Sequence, residues 1–182
     1  MTKRDRCDNY MDYKSFIREV PDFPKPGVVF YDITTLLKEP ACLRAIIDDL
    51  VKKYQGAGIS KVVGIESRGF ILGCPLAYHL NAGFVPVRKP GKLPADVFEV
   101  KYHLEYGSNS LAIHRDAIQE GESVLIIDDL LATGGTASAT VHLIRQLGGE
   151  IAGVGFLVEL AGLDGRSKLN GCAIHSLITY DL

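Results

Sequence analysis

The segment Val124–Thr136 constrains the fold of this 182-residue chain more than any other part of its sequence. It begins with four consecutive apolar residues, a run typical of a strand that is buried on both faces of a parallel sheet. Two adjacent carboxylates, Asp128 and Asp129, follow the run, and the Thr-Gly-Gly-Thr sequence at 133–136 suits a tight turn. Because apolar residues then recur on one helical face, we predict a helix over Thr136–Leu147. The segment therefore predicts one strand–turn–helix unit of an α/β protein.

Alternating helices and strands are predicted along most of the chain. Apolar residues with the spacing of one helical face follow Pro40 as far as Tyr54, and they predict an amphipathic helix. The other predicted elements are an extended piece at Val28–Ile33, a helix at Gly69–Leu80, and strands at Lys61–Ile65, Phe84–Val87, Ser123–Ile127, Ile151–Leu160 and Ala173–Tyr180, the last at a sheet edge. This order favours a mostly parallel, twisted sheet with helices on both faces.

The residues Gly91–Gly107 interrupt this rhythm with charged residues, prolines and aromatic residues. A long polar excursion inside a compact domain is often a functional loop, and we expect one here. The loop that we consider for function, Glu99–Asn109, carries Tyr102, Glu105 and Tyr106.

Composition and charge narrow the class of protein. Apolar residues make up 47% of the chain, which is enough to form a core without stabilising disulfides or metals. A net charge of −2 does not suggest nucleic acids or anionic membranes as partners. The four cysteines form no CxxC pair, which argues against zinc and favours buried thiols in a reducing compartment. Residues 1–10 are polar, so we expect a disordered extension without a secretory signal. From the chain length we expect a single domain over 11–182, and from the scattered cysteines a cytoplasmic protein.

The turn after the predicted strand has the chemistry of an anion site. Ligands of open α/β sheets bind at the carboxyl ends of strands, and a helix N-terminus offers N–H groups and a positive dipole. Asp128 and Asp129 accept hydrogen bonds when ionised, which suits two vicinal hydroxyl groups. The residues expected to contact a phosphate are Ala132, Thr133, Gly134, Gly135 and Thr136. We therefore predict a site for phosphorylated ribose; the alternative is a tight turn whose aspartates only cap the helix.

This segment resembles the ribose-phosphate signature of the type I phosphoribosyltransferases. Further motifs, in the same chain order, are similar to those of adenine phosphoribosyltransferases: Pro21–Phe30, Glu66–Phe70, Arg88–Pro94, Leu104–Gly107 and Val158–Leu160. The resemblance extends from about Pro21 to the C-terminus. It implies the type I fold, with a small hood formed mainly by residues 20–35 and the C-terminal segment, and a flexible catalytic loop.

The resemblance also implies an activity and its partners. Adenine and 5-phosphoribosyl 1-pyrophosphate would give AMP and pyrophosphate, a purine-salvage reaction. Mg²⁺ would arrive on substrate oxygens and waters rather than in a site made only of protein ligands. A homodimer is implied, with Arg88–Pro94 near the partner.

Within the family pattern, Glu105 is the candidate acid/base for the purine imidazole, and Tyr106 and Tyr102 are candidates for closing the loop. On the residues alone, Glu105 could be an exposed loop carboxylate and the tyrosines could anchor the loop. Tyr31 departs from the pattern, because family members often have arginine there.

The candidate pyrophosphate ligands are Ser67, Arg68, Lys89 and Lys92. Arginine suits phosphate oxygens through its planar fork, and cations stabilise the charge that develops on a leaving pyrophosphate. For Lys89 and Lys92 a solvated surface turn is the alternative. The resemblance further implies a cis peptide bond before Ser67.

The candidate adenine-binding residues are Val29, Phe30, Tyr31 and Leu160, with ordinary core packing as the alternative. Hypoxanthine-guanine relatives have an aspartate where Ala132 stands, and there it handles the purine N7 proton. Ala132 cannot do so, which favours an aminopurine substrate and an acid/base elsewhere, at Glu105.

Two other functions are compatible with the same fold. A regulator that senses phosphoribosyl pyrophosphate without catalysis would need a nucleic-acid-binding surface, usually on an added basic or winged-helix domain. Residues 1–20 are too few for such a domain. The same chemistry on xanthine or orotate would need a different base pocket, with a cationic donor for a 6-oxo purine.

Overall fold

The computed structural model describes residues 11–103 and 108–181. The predicted disorder of residues 1–10 lies outside these ranges, as do Glu105 and Tyr106. The chain divides into two compact units, Met1–Ile46 and Ile47–Leu182, and each is described by itself. Among the described residues, no helix has the length and apolar character needed to cross a membrane.

The first unit contains a small antiparallel sheet. Strand β1 (Arg18–Val20) pairs with β2 (Phe30–Asp32), so the extended piece predicted at Val28–Ile33 is confirmed only in its centre. The short helix α1 (Thr34–Leu37) follows at once. The Asp32 carboxylate accepts hydrogen bonds from the backbone N–H and the hydroxyl of Thr34, at 2.9 and 2.6 Å, and these bonds join the last residue of β2 to the first residue of α1.

The second unit is built on a five-stranded sheet with the order β4-β3-β7-β8-β9, in which every neighbouring pair is parallel. The predicted parallel sheet and the predicted edge strand at the C-terminus are both confirmed. The bounds are β3 Lys61–Ile65, β4 Gly83–Val87, β7 Ser123–Leu131, β8 Glu150–Leu160 and β9 Ile174–Tyr180, with helices α3 Arg68–Leu80 and α4 Gly135–Gln146. Helix α2 (Pro40–Tyr54) begins in the first unit and ends in the second.

Helices cover both faces of this sheet, as predicted. The α4 side chains join a buried cluster with alternate strand residues such as Val63, Ile126 and Val154. On the opposite face, α3 packs against β3, and the ring of Tyr54 at the end of α2 lies against Gly155 of β8. The apolar runs predicted as doubly buried strands are therefore covered from both sides.

Glycines set how closely α3 approaches the sheet. A Cβ atom on Gly69 would lie 2.7 Å from the carbonyl oxygen of Ile127 and 3.1 Å from Oδ1 of Asp128. Only a residue without a side chain allows the start of α3 to pack on the end of β7. This contact brings the neighbouring Arg68 to the aspartates.

The prediction of a loop over Gly91–Gly107 is wrong for Val97–His103, which forms a strand. Strands β5 (Val97–His103) and β6 (Ser108–His114) pair as an antiparallel ribbon. Phe98, Val100 and Tyr102 alternate with polar residues and pack on the core, which is the two-residue period of a half-buried strand. The polar members of the alternation gave the segment its loop-like composition.

Strand β7 is also longer than predicted. It continues to Leu131, so Asp128 and Asp129 lie within the strand rather than after it. Pairing with β8 holds this extension, since Asp128 lies beside Phe156 and Leu131 beside Glu159. The two carboxylates are therefore fixed by sheet hydrogen bonding and not by a loop.

Candidate active site

One cavity, of about 330 Å³, lies at the carboxyl ends of β3 and β7. It gathers ten of the residues predicted to bind substrate: Ser67, Arg68, Lys89, Asp128, Asp129, Ala132, Thr133, Gly134, Gly135 and Thr136. This is the edge at which open parallel sheets bind ligands, because successive strands present their ends and loops there.

The turn Ala132–Thr136 forms the part of the cavity wall that leads into α4. Gly134 has φ +75°, a left-handed conformation that glycine adopts without steric cost, and α4 begins at the next residue. The amino end of α4 therefore borders the cavity, where its N–H groups and dipole favour an anion.

Asp128 and Asp129 are almost completely buried, with 9% and 4% of their surface exposed. Burial raises the pKa of Asp128 well above its usual range, and the negative charge of Asp129 adds to this rise. Burial also raises the pKa of Asp129, whereas the nearby Arg68 guanidinium opposes that shift. Two adjacent carboxylates in one buried site thus hold their protons more tightly than exposed ones do.

Arg68 is the cation closest to this pair. Its Nε lies 2.8 Å from Oδ2 of Asp129, and its side chain is 39% exposed, so it faces the cavity with part of its surface. Arg68 starts α3 directly after Ser67, and the Glu66–Ser67 peptide bond is cis, as the resemblance implies. The position of Arg68 suits contact with both a carboxylate and a phosphate oxygen.

Lys89 and Lys92 differ in position. Lys89 lines the cavity, whereas Lys92 is not among its lining residues. The carbonyl of Lys92 accepts a hydrogen bond from Nη1 of Arg88 at 3.0 Å, and its backbone N–H donates to the carbonyl of Lys89 at 3.3 Å. The role of Lys92 with pyrophosphate stays a prediction.

Glu66 is a cavity residue that sequence reasoning missed. Its carboxylate accepts hydrogen bonds from Nε and Nη2 of Arg88, at 3.2 and 3.1 Å, and from the backbone N–H of Lys89 at 3.2 Å. Hydrogen bonds from Arg88 lower the pKa of Glu66, although burial opposes the shift. The pair ties the chain after β3 to the chain after β4. An acidic residue directly after a buried strand was the signal available in the sequence.

Tyr102 also lines the cavity, and it lies on strand β5 rather than on a loop. The hydroxyl of Thr136 donates a hydrogen bond to Tyr102 Oη, at 3.3 Å. The strand that leads toward residues 104–107 is thereby joined to the first turn of α4.

The predicted adenine-binding residues do not line this cavity. Val29 is 40% exposed, Phe30 is half-buried with its ring 5.3 Å from that of Phe23, and Tyr31 is 4% exposed, all in the first unit. Leu160 ends β8 in the second unit and is 8% exposed. Their role in binding adenine stays a prediction, as do the roles of Glu105 and Tyr106 outside the described residues.

Comparison with known proteins identifies the family. Residues 32–176 match the family model of the phosphoribosyl transferase domain. The adenine phosphoribosyltransferase of Acaryochloris marina is 58% identical over 170 residues, which cover 93% of this chain and 100% of that protein.

Solved structures agree with this match. The crystal structure of adenine phosphoribosyltransferase from Thermoanaerobacter pseudethanolicus superposes with a TM-score of 0.90 at 52% identity, covering 92% of this chain and 98% of that one. The enzyme from Saccharomyces cerevisiae, crystallised with adenine and an imino-altritol bisphosphate, gives a TM-score of 0.85 at 40% identity, covering 91% and 96%. The chain therefore belongs to the adenine phosphoribosyltransferases, enzymes of the type I fold that convert adenine and 5-phosphoribosyl 1-pyrophosphate into AMP and pyrophosphate.

Proposed function

We propose that the cavity at the ends of β3 and β7 holds phosphoribosyl pyrophosphate along its length. The 5-phosphate binds the Ala132–Thr136 turn, the ribose hydroxyls bind Asp128 and Asp129, and the pyrophosphate binds near Arg68. The single observation that carries this proposal is that anion-binding and hydroxyl-binding groups line one cavity of about 330 Å³.

The two ends of the cavity suit the two anionic ends of the substrate. At one end the amino terminus of α4 and the hydroxyl of Thr133 offer neutral donors. The Thr136 hydroxyl, which donates to Tyr102 Oη in the structure, can turn to a phosphate when the Tyr102 O–H donates to it instead. At the other end Arg68 and Lys89 offer positive charge, which a leaving pyrophosphate needs more than a retained phosphate does. Ser67 adds a hydroxyl and a backbone N–H to this second end.

The chemical step that we propose forms the bond from adenine N9 to ribose C1′ as the bond from C1′ to the pyrophosphate oxygen breaks. The electron pair leaves with pyrophosphate, whose charge Arg68 and Lys89 stabilise. The imidazole proton of adenine passes to the carboxylate of Glu105, in the role that the family resemblance gives it. Tyr106 helps to exclude water from C1′ while the site is closed.

Mg²⁺ is part of the proposal as a partner of the substrate. The described residues contain no group of three or more His, Cys, Asp or Glu side chains arranged to hold a metal ion. The oxygen donors present, Asp128 and Asp129, suit an ion that keeps substrate oxygens and waters as its other ligands. When bound, Mg²⁺ neutralises part of the pyrophosphate charge.

We propose as adenine contacts Val29, Phe30 and Tyr31 of the first unit and, separately, Leu160 of the second. Support comes from the partial exposure of Val29 and Phe30, which leaves apolar surface for a flat base. Ala132 supports selection of adenine, because the turn has no carboxylate to meet the N7 proton of an oxopurine. Tyr31, where relatives often have arginine, is 4% exposed.

Assembly and location complete the proposal. We propose a homodimer, which the exposed apolar side chains of α3 support, since Ile71 and Tyr78 are 47% and 83% exposed on one helix. We propose that Arg88–Pro94 lies near the partner, as the family resemblance implies. The free thiols of Cys42, Cys74 and Cys172 support action in the reducing cytoplasm. That residues 11–182 act as a single domain with a small hood also stays a prediction.

A substrate panel tests the function. The purified chain is assayed with phosphoribosyl pyrophosphate, Mg²⁺ and one base at a time, which is adenine, hypoxanthine, guanine or xanthine. Of these four bases, only adenine should lead to release of pyrophosphate. Turnover only with an oxopurine would contradict the proposed adenine contacts. Binding of phosphoribosyl pyrophosphate without turnover of any base would favour a sensing regulator instead.

The site assignments need a separate test. Thr136→Val, Asp128→Asn and Arg68→Met should each weaken binding of phosphoribosyl pyrophosphate, measured by calorimetry, by about tenfold or more, because each removes a hydrogen bond to a charged or buried group. Arg44→Met, a change at an exposed arginine of the first unit, is the matched control. Unchanged affinity in all three variants would remove this cavity as the binding site.

A further inference from the structure

We infer that residues 161–168 position the Ala132–Thr136 turn for the 5-phosphate, with Gly165 as the contact and the Glu159–Arg166 ion pair as the anchor. This inference rests on the role proposed above for the turn. The segment contains two 3-10 turns, Ala161–Leu163 and Gly165–Lys168, and none of its residues was singled out from the sequence.

The backbone of Gly165 contacts the backbone of the Ala132–Thr136 turn. A Cβ atom on Gly165 would overlap the carbonyl oxygen of Ala132 and lie 2.9 Å from Cδ1 of Leu131. A Cβ atom on Gly134 would in turn overlap the carbonyl oxygen of Gly165. Because backbone atoms cannot rotate away as the end of a flexible side chain can, a side chain at either position must displace the turn.

The contact lies on the reverse side of the cavity wall. Ala132 and Gly134 both line the cavity, and Gly165 is buried against them. The backbone N–H groups at the amino end of α4 can hold a phosphate only if the turn keeps its geometry, since hydrogen bonds weaken steeply with distance and angle. Gly165 therefore acts on phosphate binding through the turn, without touching the ligand.

An ion pair anchors the segment to the sheet. Nε and Nη2 of Arg166 each lie 2.6 Å from an oxygen of Glu159, and the Glu159 side chain is only 6% exposed. Hydrogen bonds from Arg166 lower the pKa of Glu159, although burial opposes the shift. Glu159 lies on β8 beside Leu131 of β7, which directly precedes the turn. A bidentate pair of this kind fixes both distance and orientation.

The proposal predicts a selective loss of phosphate-dependent binding. In the full chain, Gly165→Ala and Arg166→Met should each raise the Kd for ribose 5-phosphate by about tenfold, the effect of weakening one or two hydrogen bonds to a charged group. The Kd for adenine should change by less than about twofold, because the hydrogen bonds that the turn offers go to the phosphate and Ala132 has no polar side-chain group for the base. Arg166→Lys should restore part of the affinity, since it keeps the charge but not the fork.

Matched controls separate this effect from general destabilisation. Gly83→Ala adds a side chain at an exposed glycine whose nearest neighbour is the flexible Lys61 side chain, and Arg145→Met removes another exposed arginine. Both controls should bind ribose 5-phosphate as the unsubstituted chain does. Circular dichroism and thermal unfolding identify variants that do not fold; if Gly165→Ala is one of them, the Arg166 variants decide.

The outcomes distinguish this inference from the proposed site. If Thr136→Val weakens ribose 5-phosphate binding but folded Gly165→Ala and Arg166→Met do not, the positioning role is wrong and the site stands. Equal weakening by the controls would also overturn the positioning role. If Thr136→Val has no effect, the phosphate site itself is wrong and the inference falls with it.

Discussion

Nε of Arg68 lies 2.8 Å from Oδ2 of Asp129, and this pair joins the proposed pyrophosphate end of the cavity to its ribose end. The two residues come from different segments, since Arg68 is the first residue of α3 and Asp129 lies within β7, and Gly69 allows the close approach between these segments. Arg68 thus contacts the buried carboxylate, and it is also the proposed partner of the substrate pyrophosphate. Substrate binding and the charge state of the aspartates are therefore coupled.

Replacing Arg68 should affect both partners. For Arg68→Met we expect the KM for phosphoribosyl pyrophosphate to rise and kcat to fall, with kcat/KM lower by about 10²-fold or more, because a cation at developing charge is lost. Loss of the guanidinium should also raise the pKa of Asp129 further, since Arg68 now opposes that rise. Initial rates over a range of substrate concentrations test this, with Arg145→Met as control; kcat/KM within about threefold of the unsubstituted enzyme would contradict the proposed contact.

Asp128 should lower the stability of the fold at neutral pH. Its pKa in the folded chain is raised above the ordinary value of 3.8, so the folded state binds more protons than the unfolded state as the pH rises through 3.8. Stability therefore decreases from that pH up to the folded pKa. Asp128→Asn removes this cost and can still accept the N–H of Asp129, which now donates to Oδ1 at 2.9 Å.

We therefore expect Asp128→Asn to unfold at a higher temperature than the unsubstituted chain at pH 7, by about 2–4 °C for each 1 kcal/mol gained in a chain of this size. The gain should shrink as the pH falls to about 3, below the ordinary pKa of 3.8, where Asp128 is mostly protonated in both the folded and the unfolded state. Differential scanning calorimetry at both pH values tests the prediction. A lower Tm at pH 7, or a gain that does not depend on pH, would show that the buried charge is not the cause.

Tyr102 should link the β5 strand to the phosphate end of the cavity. Tyr102→Phe keeps the ring that packs on the core but removes the oxygen that accepts the Thr136 hydroxyl. We expect the KM for phosphoribosyl pyrophosphate to change by about two- to tenfold, as for one neutral hydrogen bond, and the Tm to stay nearly constant. Tyr78→Phe, at a ring that is 83% exposed, is the control. Identical kinetics for both variants would limit Tyr102 to packing.

Local patterns predicted the elements that a single segment encodes. Helix α2 and strand β3 have the predicted bounds, Pro40–Tyr54 and Lys61–Ile65, because helical spacing and an apolar run each identify them without help from other segments. Strand β6 was not predicted, since Ser108–Ser110 is polar and becomes a strand only by pairing with β5. Long-range pairing of this kind leaves a weak trace in the sequence.

The residues of the candidate site also fall into those that one segment predicts and those that only the fold brings together. The Asp128–Thr136 residues could be predicted because strand, carboxylates and turn are consecutive in the chain. Glu66 and Gly165 were not predicted, because their roles depend on Arg88 and Ala132, which are distant in sequence and close only in the folded chain. The Glu159–Arg166 pair is an example: its members are seven positions apart in the sequence, and two short 3-10 turns bring them together.

Glu105 is the residue that the chemistry needs most and that only the family resemblance supports. For Glu105→Leu we expect kcat to fall by about 10²- to 10⁴-fold, the usual contribution of a positioned acid or base. Binding of phosphoribosyl pyrophosphate should change by less than about twofold, because Glu105 acts on the base and not on the sugar. Glu99→Leu, a change at an exposed glutamate of β5, is the matched control. Calorimetry for binding and single-turnover kinetics for the chemical step separate the two effects. A kcat equal to that of the control would mean that another group takes the proton of adenine. Weaker binding of phosphoribosyl pyrophosphate would instead mean that Glu105 is a ligand of the sugar.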